Sequence, residues 1–339
     1  MFYCGIDLAS RTSALCIVDA NDCVLREAQI PTDEVAFRGI LQNYPDCLCV
    51  VEAAPLAESI KRMVESLGHR CVIVDTRAAQ GLFAARKKTD RNDARTLAKM
   101  ARTGWYNEVC AKTTDQRLLR TRLTARVALV HTQVRLQNAV LGLLKAQGLR
   151  LRAANNRQFA SVIRNKVTAL AEGSALLPII EPLLLIWEQV DQEVSALDKQ
   201  LHALAKSQQL TRLLMTVPGV GALTALAFVA TIGDPERFRR PEQIGDYVGL
   251  APGVYQSGDV DRRGRITKAG DAMLRSLLVN AATVVLYQYR KHWSLKAWAL
   301  RLKERKGAGK ARVALARKLA ILLWKILKTQ TPFILPAAA

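Results

Sequence analysis

Tyr3-Cys4-Gly5-Ile6-Asp7, then Ser13-Ala14-Leu15-Cys16-Ile17-Val18, then residues 24–30 open the chain as three strand-like runs joined by hairpin-length turns. Cys47-Leu48-Cys49-Val50-Val51 and Cys71-Val72-Ile73-Val74 follow as short apolar runs of the kind found in buried strands. Residues 36–42 and 57–67 carry apolar side chains at three- and four-residue spacing, the second run closed by Gly68. Three consecutive strands, then strands separated by helices, predict a mixed five-stranded sheet with helices packed on it.

That order resembles the ribonuclease H fold, and it decides where the carboxylates fall. Asp7 follows the first strand and Glu52 closes the fourth, so both project from adjacent central strands and meet at one end of the sheet. Asp90 and Asp93, in Lys87-Lys88-Thr89-Asp90-Arg91-Asn92-Asp93-Ala94, are three apart at a predicted helix start. This spacing places them on one face, about 5–6 Å apart at Cβ. Four such carboxylates suit Mg²⁺, with Mn²⁺ as a substitute, because a hard cation takes oxygen ligands and keeps places for water and phosphate. Two ions about 3.5–4 Å apart activate a nucleophile and stabilise a leaving oxygen. Each residue also has a plainer role open to it: Asp7 capping a turn, Glu52 pairing with a cation, Asp90 or Asp93 capping a helix that begins near Ala94. Their joint placement on element ends favours the metal site, whereas Glu58, Glu65 and Asp75 read as solvated.

The 339 residues, half of them hydrophobic, suffice for two domains and a helical connector and exclude wholesale disorder. Lys and Arg number 50 against 29 Asp and Glu, a formal charge of +21 that calls for a polyanionic partner. Nucleic acid comes before an anionic membrane surface. Residues 1–85 carry a net −4, residues 86–207 a net +11 and residues 208–339 a net +14, so the polyanion is expected against the later segments. The N-terminal residues have no basic region before an apolar one, which predicts no signal peptide and a chain that stays inside the cell. The uncharged stretch 213–233 is long enough to span a bilayer, but Pro218-Gly219 and Gly221 break it. Seven cysteines without zinc-ligand spacing read as buried reduced thiols.

From about Arg117 the period becomes helical, with Leu118, Leu119, Leu123, Val127, Val130, Val134, Leu141 and Leu144 on one stripe. A second long helix is expected to begin after Pro178 or Pro182 and to run through Leu204 near a heptad seam. The pair reads as a coiled-coil dimerisation arm or as an intramolecular bundle. The resulting division is 1–112, an α/β nuclease-like domain; 113–207, the coiled-coil region; 208–330, a mostly helical domain; and 331–339, a tail.

Thr216-Val217-Pro218-Gly219-Val220-Gly221-Ala222 matches a helix-hairpin-helix, in which Pro218, Gly219 and Gly221 let backbone N–H groups approach a phosphate; an ordinary tight turn fits the same residues. Residues 249–270 read as a Gly-, Arg- and polar-rich loop in which Ser257-Gly258 precedes Arg262, Arg263, Arg265 and Lys268. The serine is either a phosphate-contacting hydroxyl or a nucleophile. His292 is the nearest histidine in sequence, so the pattern around the serine does not favour a protease-like triad and calls for a metal-bound or substrate-derived base.

With Gly5-Ile6-Asp7, Val51-Glu52-Ala53, Thr89–Ala94, Pro218-Gly219-Val220-Gly221 and Ser257-Gly258 through Leu274-Arg275, the chain resembles the transposases of insertion-sequence family 110, including its 1111 subgroup, over nearly its whole length. The resemblance implies a RuvC-like N-terminal domain with an Asp-Glu-Asp-Asp tetrad at Asp7, Glu52, Asp90 and Asp93, a coiled coil, and a C-terminal transposase domain whose reactive serine is Ser257. It also implies a bridge RNA that pairs with target and donor DNA, and a tetramer in which the tetrad of one subunit works with the serine of another through a transient 5′-phosphoserine link. The expected function is therefore Mg²⁺-dependent DNA recombination through a serine nucleophile. The alternatives are a structure-selective junction endonuclease in which Ser257 only contacts phosphate, and a non-catalytic helix-hairpin-helix DNA-binding protein.

Overall fold

The computed structural model describes residues 1–76, 89–151, 158–170, 173–257 and 260–335. They form two compact units, Met1–Lys112 and Thr113–Ala339.

The first unit is built on strands β1 (Phe2–Leu8), β2 (Thr12–Val18), β3 (Val24–Pro31), β4 (Cys47–Glu52), β5 (Arg70–Asp75) and β6 (Asn107–Glu108), in the order β3-β2-β1-β4-β5-β6. β1, β2 and β3 are antiparallel neighbours, β1, β4 and β5 are parallel, and β6 returns antiparallel to β5. The sheet thus gains a sixth strand over the five expected. β6 has two residues, too few for any alternation to register in sequence.

Strand alternation divides the apolar side chains between two faces. On one, Cys4, Ile6, Leu15, Ile17, Cys49, Val51 and Ile73 pack with Phe37, Ile40 and Leu41 of α1 (Glu34–Leu41) and Ile60 and Val64 of α2 (Ala57–Ser66). On the other, Ala14 and Cys16 of β2 pack with Ala94 and Ala98, and Leu48, Val50, Val72 and Val74 pack with Leu97, Met100 and Ala101, all five of them residues of α3 (Asp90–Thr103). Five of the seven cysteines are buried here, whereas Cys23 and Cys110 are exposed, which corrects the expectation that all are internal. Burial pushes the Cys16 thiol up to about 11 and the Cys71 thiol up to about 12, so both stay protonated.

The second unit is mostly helical. α4 (Thr114–Ala146) starts with a reciprocal capping box between Thr113 and Gln116. α5 (Phe159–Thr168) and α6 (Gly173–Ser207) follow, then α7 (Gln209–Leu214), α8 (Ala222–Ile232), α9 (Glu242–Tyr247), strands β7 (Pro252–Ser257) and β8 (Val260–Ile266), α10 (Ala272–Tyr287), α11 (Ser294–Lys306) and α12 (Ala308–Thr329). α4 and α6 pack on each other within the chain, tied by Arg126 to Asp198 and by the Gln133 amide donating to Asp191 at 2.6 Å. α6 begins at Gly173 and contains both Pro178 and Pro182, so neither proline starts it as expected. The prolines forfeit two backbone donors. Ile180, Leu184 and Trp187, packed against Val140, Leu144, Phe159 and Ile163, hold that turn helical.

α8 is the centre of the main core, with nine of its eleven residues buried and with α4, α6, α7 and α10 packed on it. The uncharged stretch 213–233 holds the end of α7, a turn and α8, and among the described residues no helix is long and apolar enough to cross a membrane.

Candidate active site

One end of the first unit's sheet gathers the polar side chains. Ile6 is paired with Val51 across the parallel β1–β4 ladder, so Asp7 and Glu52, one residue further on each strand, stand side by side. Parallel neighbours lie about 4.8 Å apart at this level. Asp7 is also the register partner of Ala14, which is paired with Gln29, so the row reads Gln29, Ala14, Asp7, Glu52 across four strands. Asp7 shares its strand face with Gly5 and Tyr3, and Glu52 shares its face with Val50 and Leu48, which is the side covered by α3.

Gly5 brings α3 down onto that face. A Cβ there would stand 2.0 Å from the Ala94 carbonyl oxygen and 2.3 Å from the Ala98 nitrogen, so the helix backbone lies directly on the glycine. With Ala94 over Gly5 and Met100 and Ala101 over Leu48 and Val72, α3 runs antiparallel to β1 and sets its first turn at the Asp7 end. Asp90 and Asp93 are in that turn, Asp90 exposed and Asp93 half-buried. Neither caps the helix. Thr89 does, its hydroxyl accepting from the Asn92 N–H at 3.2 Å. The helix therefore starts four residues before Ala94, and two carboxylates in a first turn suit the positive end of the helix dipole.

The four carboxylates thus have the donor type a divalent cation takes, and their backbones approach from two adjacent strands and one helix start. As they stand, the side chains do not close round an ion: among the described residues no group of three or more His, Cys, Asp or Glu is placed to hold one. Glu52 is turned toward the exit of β5, where the Thr76 hydroxyl donates to it.

The serine predicted as a nucleophile is in the second unit. Residues 249–270, read as a loop, contain the antiparallel hairpin β7–β8, in which Ser257 is paired with Val260. The hairpin escaped prediction because Val254 and Tyr255 are both exposed, leaving no buried alternation to detect. Gly258 lies outside the described residues, as do the side chains of Ser257 and Arg263. Arg262, Arg265 and Lys268 are exposed. The hairpin's base is tightly closed. Gly249 (φ +68°) has no room for a Cβ beside the Ala269 oxygen at 1.9 Å, and Gly270 (φ +80°) has none beside the Tyr247 oxygen at 2.0 Å. Arg275 spans the closure, donating from Nη1 to the Val248 and Ala269 carbonyls at 3.2 Å each.

Two family models match the chain: one described as a transposase, of the IS110 DEDD type, over residues 4–147, and one described as the transposase IS116/IS110/IS902 family over residues 211–298. The chain belongs to the IS110 family of transposases. It is 28% identical over 334 residues to the transposase for insertion sequence element IS1111A of Coxiella burnetii, covering 97% of this chain and 90% of that one. It is 28% identical over 333 residues to a probable family 20 transposase of Pseudomonas aeruginosa, covering 96% and 97%. A pilin gene-inverting protein of Moraxella lacunata is 31% identical over 124 residues, 36% of this chain and 38% of that protein.

An IS110-family transposase acts on DNA in transposition, and a DEDD-type domain suggests use of a divalent metal. The matched ranges include Asp7, Glu52, Asp90 and Asp93 in one case and Ser257 in the other. The Pro218-Gly219 turn, read as part of a helix-hairpin-helix, lies between α7 and α8, and Gly219 (φ +82°) faces inward: a Cβ would stand 2.6 Å from the Ala281 oxygen and 2.9 Å from Val285 Cγ2. Gly221 is exposed, with open space beside its α-carbon.

One set of residues in this transposase was missed from sequence. Arg91, Arg95, Lys99 and Arg102 form a basic stripe at helical spacing along α3, and each pairs with an acid of the β2–β3 hairpin. Glu27 takes Arg91 and Arg95, and Asp22 takes Lys99 and Arg102. The signal was the three- and four-residue spacing, hidden because the partners lie far away in sequence.

Proposed function

We propose that this transposase cleaves and rejoins DNA with a divalent ion, Mg²⁺ or Mn²⁺, held by Asp7, Glu52, Asp90 and Asp93, and with Ser257 as nucleophile. The observation that carries it is the placement of Asp7 beside Glu52, with the first turn of α3 set over the same end of the sheet by Gly5. When bound, the ion supplies positive charge to the oxygens of the scissile phosphate. The chain's own residues do the rest. The Ser257 oxygen forms a bond to phosphorus, the P–O3′ bond breaks, and the serine proton ends on the leaving 3′ oxygen; rejoining is the reverse with another 3′-hydroxyl. The ester conserves the phosphodiester for exchange, which hydrolysis would not do. Arg262, Arg263, Arg265 and Lys268 hold phosphates from the same hairpin, and the exposed Gly221 leaves the start of α8 open to a further phosphate. We include in this reading a guide RNA and a dimer or tetramer, both of which rest on the family resemblance.

The test is a suicide DNA substrate incubated with protein and Mg²⁺, run on a denaturing gel and mapped by peptide. Wild type is expected to form an adduct at Ser257, Ser257→Ala none, and Asp7→Asn or Asp93→Asn none while still binding DNA. Cleavage by Ser257→Ala at the wild-type rate without an adduct would favour the junction-endonuclease reading. Full activity in EDTA would remove the metal.

A further inference from the structure

The strongest feature outside the tetrad is the ion-pair seam that fixes α3 along the sheet. Glu27, on β3, has 16% of its side chain exposed and meets two arginines one helical turn apart. Arg91 Nε donates to Glu27 Oε2 at 2.7 Å, Arg95 Nη2 donates to the same oxygen at 3.0 Å, and Arg95 Nε donates to Oε1. Each arginine is thus within two residues of a tetrad aspartate, Arg91 next to Asp90 and Arg95 two beyond Asp93. Glu27, Gln29, Ala14, Asp90 and Arg91 line one cleft of about 550 Å³.

Ala94 and Ala98 lie on Gly5, which sets how closely α3 approaches the sheet, and the ion pairs act on its level along the strands. Its buried face is Ala94, Leu97, Ala98, Met100 and Ala101, three alanines with two longer apolar side chains. Ion pairs discriminate. Sliding α3 by one turn moves it about 5.4 Å, so that Glu27 would meet other residues and the first-turn carboxylates would leave the level of Asp7. A metal site tolerates far smaller errors.

We propose that Glu27 is a positioning residue for the metal site: through Arg91 and Arg95 it fixes the first turn of α3 so that Asp90 and Asp93 stand at the level of Asp7 and Glu52. This rests on the reading of those four carboxylates as ligands. It separates from simple electrostatics by its sign. Removing the charge of Arg91 or Arg95 next to a cation site would tighten cation binding if only field mattered; loss of positioning weakens it.

The experiment uses the full chain without DNA, titrated with Mn²⁺ by calorimetry, alongside cleavage as a function of Mn²⁺ concentration. Arg91→Gln and Glu27→Gln are expected to bind Mn²⁺ about 10- to 100-fold more weakly, with the Mn²⁺ needed for half-maximal cleavage raised by the same factor and DNA affinity near normal. Glu27→Asp should recover most of the loss. Asp7→Asn is the control on the ligand reading and should lose both Mn²⁺ binding and cleavage. Wild-type or tighter Mn²⁺ binding by Arg91→Gln, with Asp7→Asn defective, overturns the positioning role and leaves the ligands standing. Unchanged Mn²⁺ binding by Asp7→Asn overturns the ligand reading itself. Arg91 is two-thirds exposed, so its variant decides the matter if Glu27→Gln does not fold.

Discussion

Gly5 and Ala94 are in backbone contact: the α-carbon of the first meets the carbonyl of the second so closely that no side chain fits between them. This approach seats the start of α3 on the sheet, with Asp93 the next residue back from Ala94. Gly5→Ala is expected to destabilise the first unit by at least about 2 kcal/mol, since the clash is with helix backbone that cannot rotate away. For a unit of this size that lowers Tm by roughly 8 °C or more. Cleavage should fall further than folding, because the helix start is displaced. A thermal melt with wild-type midpoint would show that α3 sits elsewhere.

Glu27 gives a pH dependence with a definite sign. Hydrogen bonds and charge from Arg91 and then Arg95 lower its carboxyl from the usual 4.5 to about 2, with burial opposing them. The neighbouring groups are Asp22 of the adjoining turn and the Cys16 thiol opposite, which stays neutral. A depressed carboxyl stabilises the fold fully above the unfolded value and loses that contribution as pH falls through the folded one. The stability gap between wild type and Glu27→Gln should therefore be constant from pH 7 to about 5 and close between about 4.5 and 2. Chemical denaturation across that range measures it, and a gap that persists undiminished at pH 2 would assign it to packing.

Strands β2, β4 and β5 were legible because they are buried on both faces and so read as unbroken apolar runs; Cys47–Val51 is the clearest. Asp7 and Glu52 were legible as the first carboxylates after short strand runs. The helix start was misjudged because Thr89, rather than either aspartate, supplies the cap, and all three are capping residue types. The seam from Glu27 to Arg91 and Arg95 was out of reach, since it joins residues 64 and 68 positions apart whose charges alone look like a solvated surface. In the second unit the hairpin carrying Ser257 has exposed Val254 and Tyr255, so its pattern is that of a loop. Conversely, the Pro218-Gly219 signal was real as a turn, but Gly219 meets a core helix, a use that no local pattern distinguishes from a phosphate contact.

The basic second unit makes affinity for nucleic acid steeply salt-dependent, since each neutralised phosphate releases counterions. Arg262, Arg265 and Lys268 are exposed on or beside one hairpin. Replacing any one with Gln is expected to weaken DNA binding about equally across sequences and to reduce the slope of log affinity against log salt by about 1. Affinity that is flat between 50 and 200 mM salt, on the order of the range in which such slopes are read, would remove the electrostatic reading.

Arg275 offers a way to loosen the serine hairpin without touching it. Its Nη1 donates to the carbonyls of Val248 and Ala269, residues on either side of the closure formed by Gly249 and Gly270, so one guanidinium ties the entry of the hairpin to its exit. The same closure carries the Thr267 N–H to the Ala251 carbonyl at 2.9 Å and the Lys268 N–H to the Gly249 carbonyl at 3.2 Å. Arg275→Met keeps most of the stem's packing and removes both donations, leaving two carbonyls without that partner at a cost of about 1–3 kcal/mol. The loss is local because α10 retains its own cap, the Asp271 carboxylate accepting from the Leu274 N–H at 2.7 Å. Hydrogen exchange at Thr267 and Lys268 should then accelerate by about 10- to 100-fold, the factor that this energy gives, while amides of α8 and α10 stay protected. Covalent adduct formation at Ser257 should fall with it, and Mn²⁺ binding by the first unit should not change. Unaltered exchange at Thr267 and Lys268 would show that the two glycines close the hairpin unaided; accelerated exchange with full adduct formation would show that the serine does not depend on a rigid base.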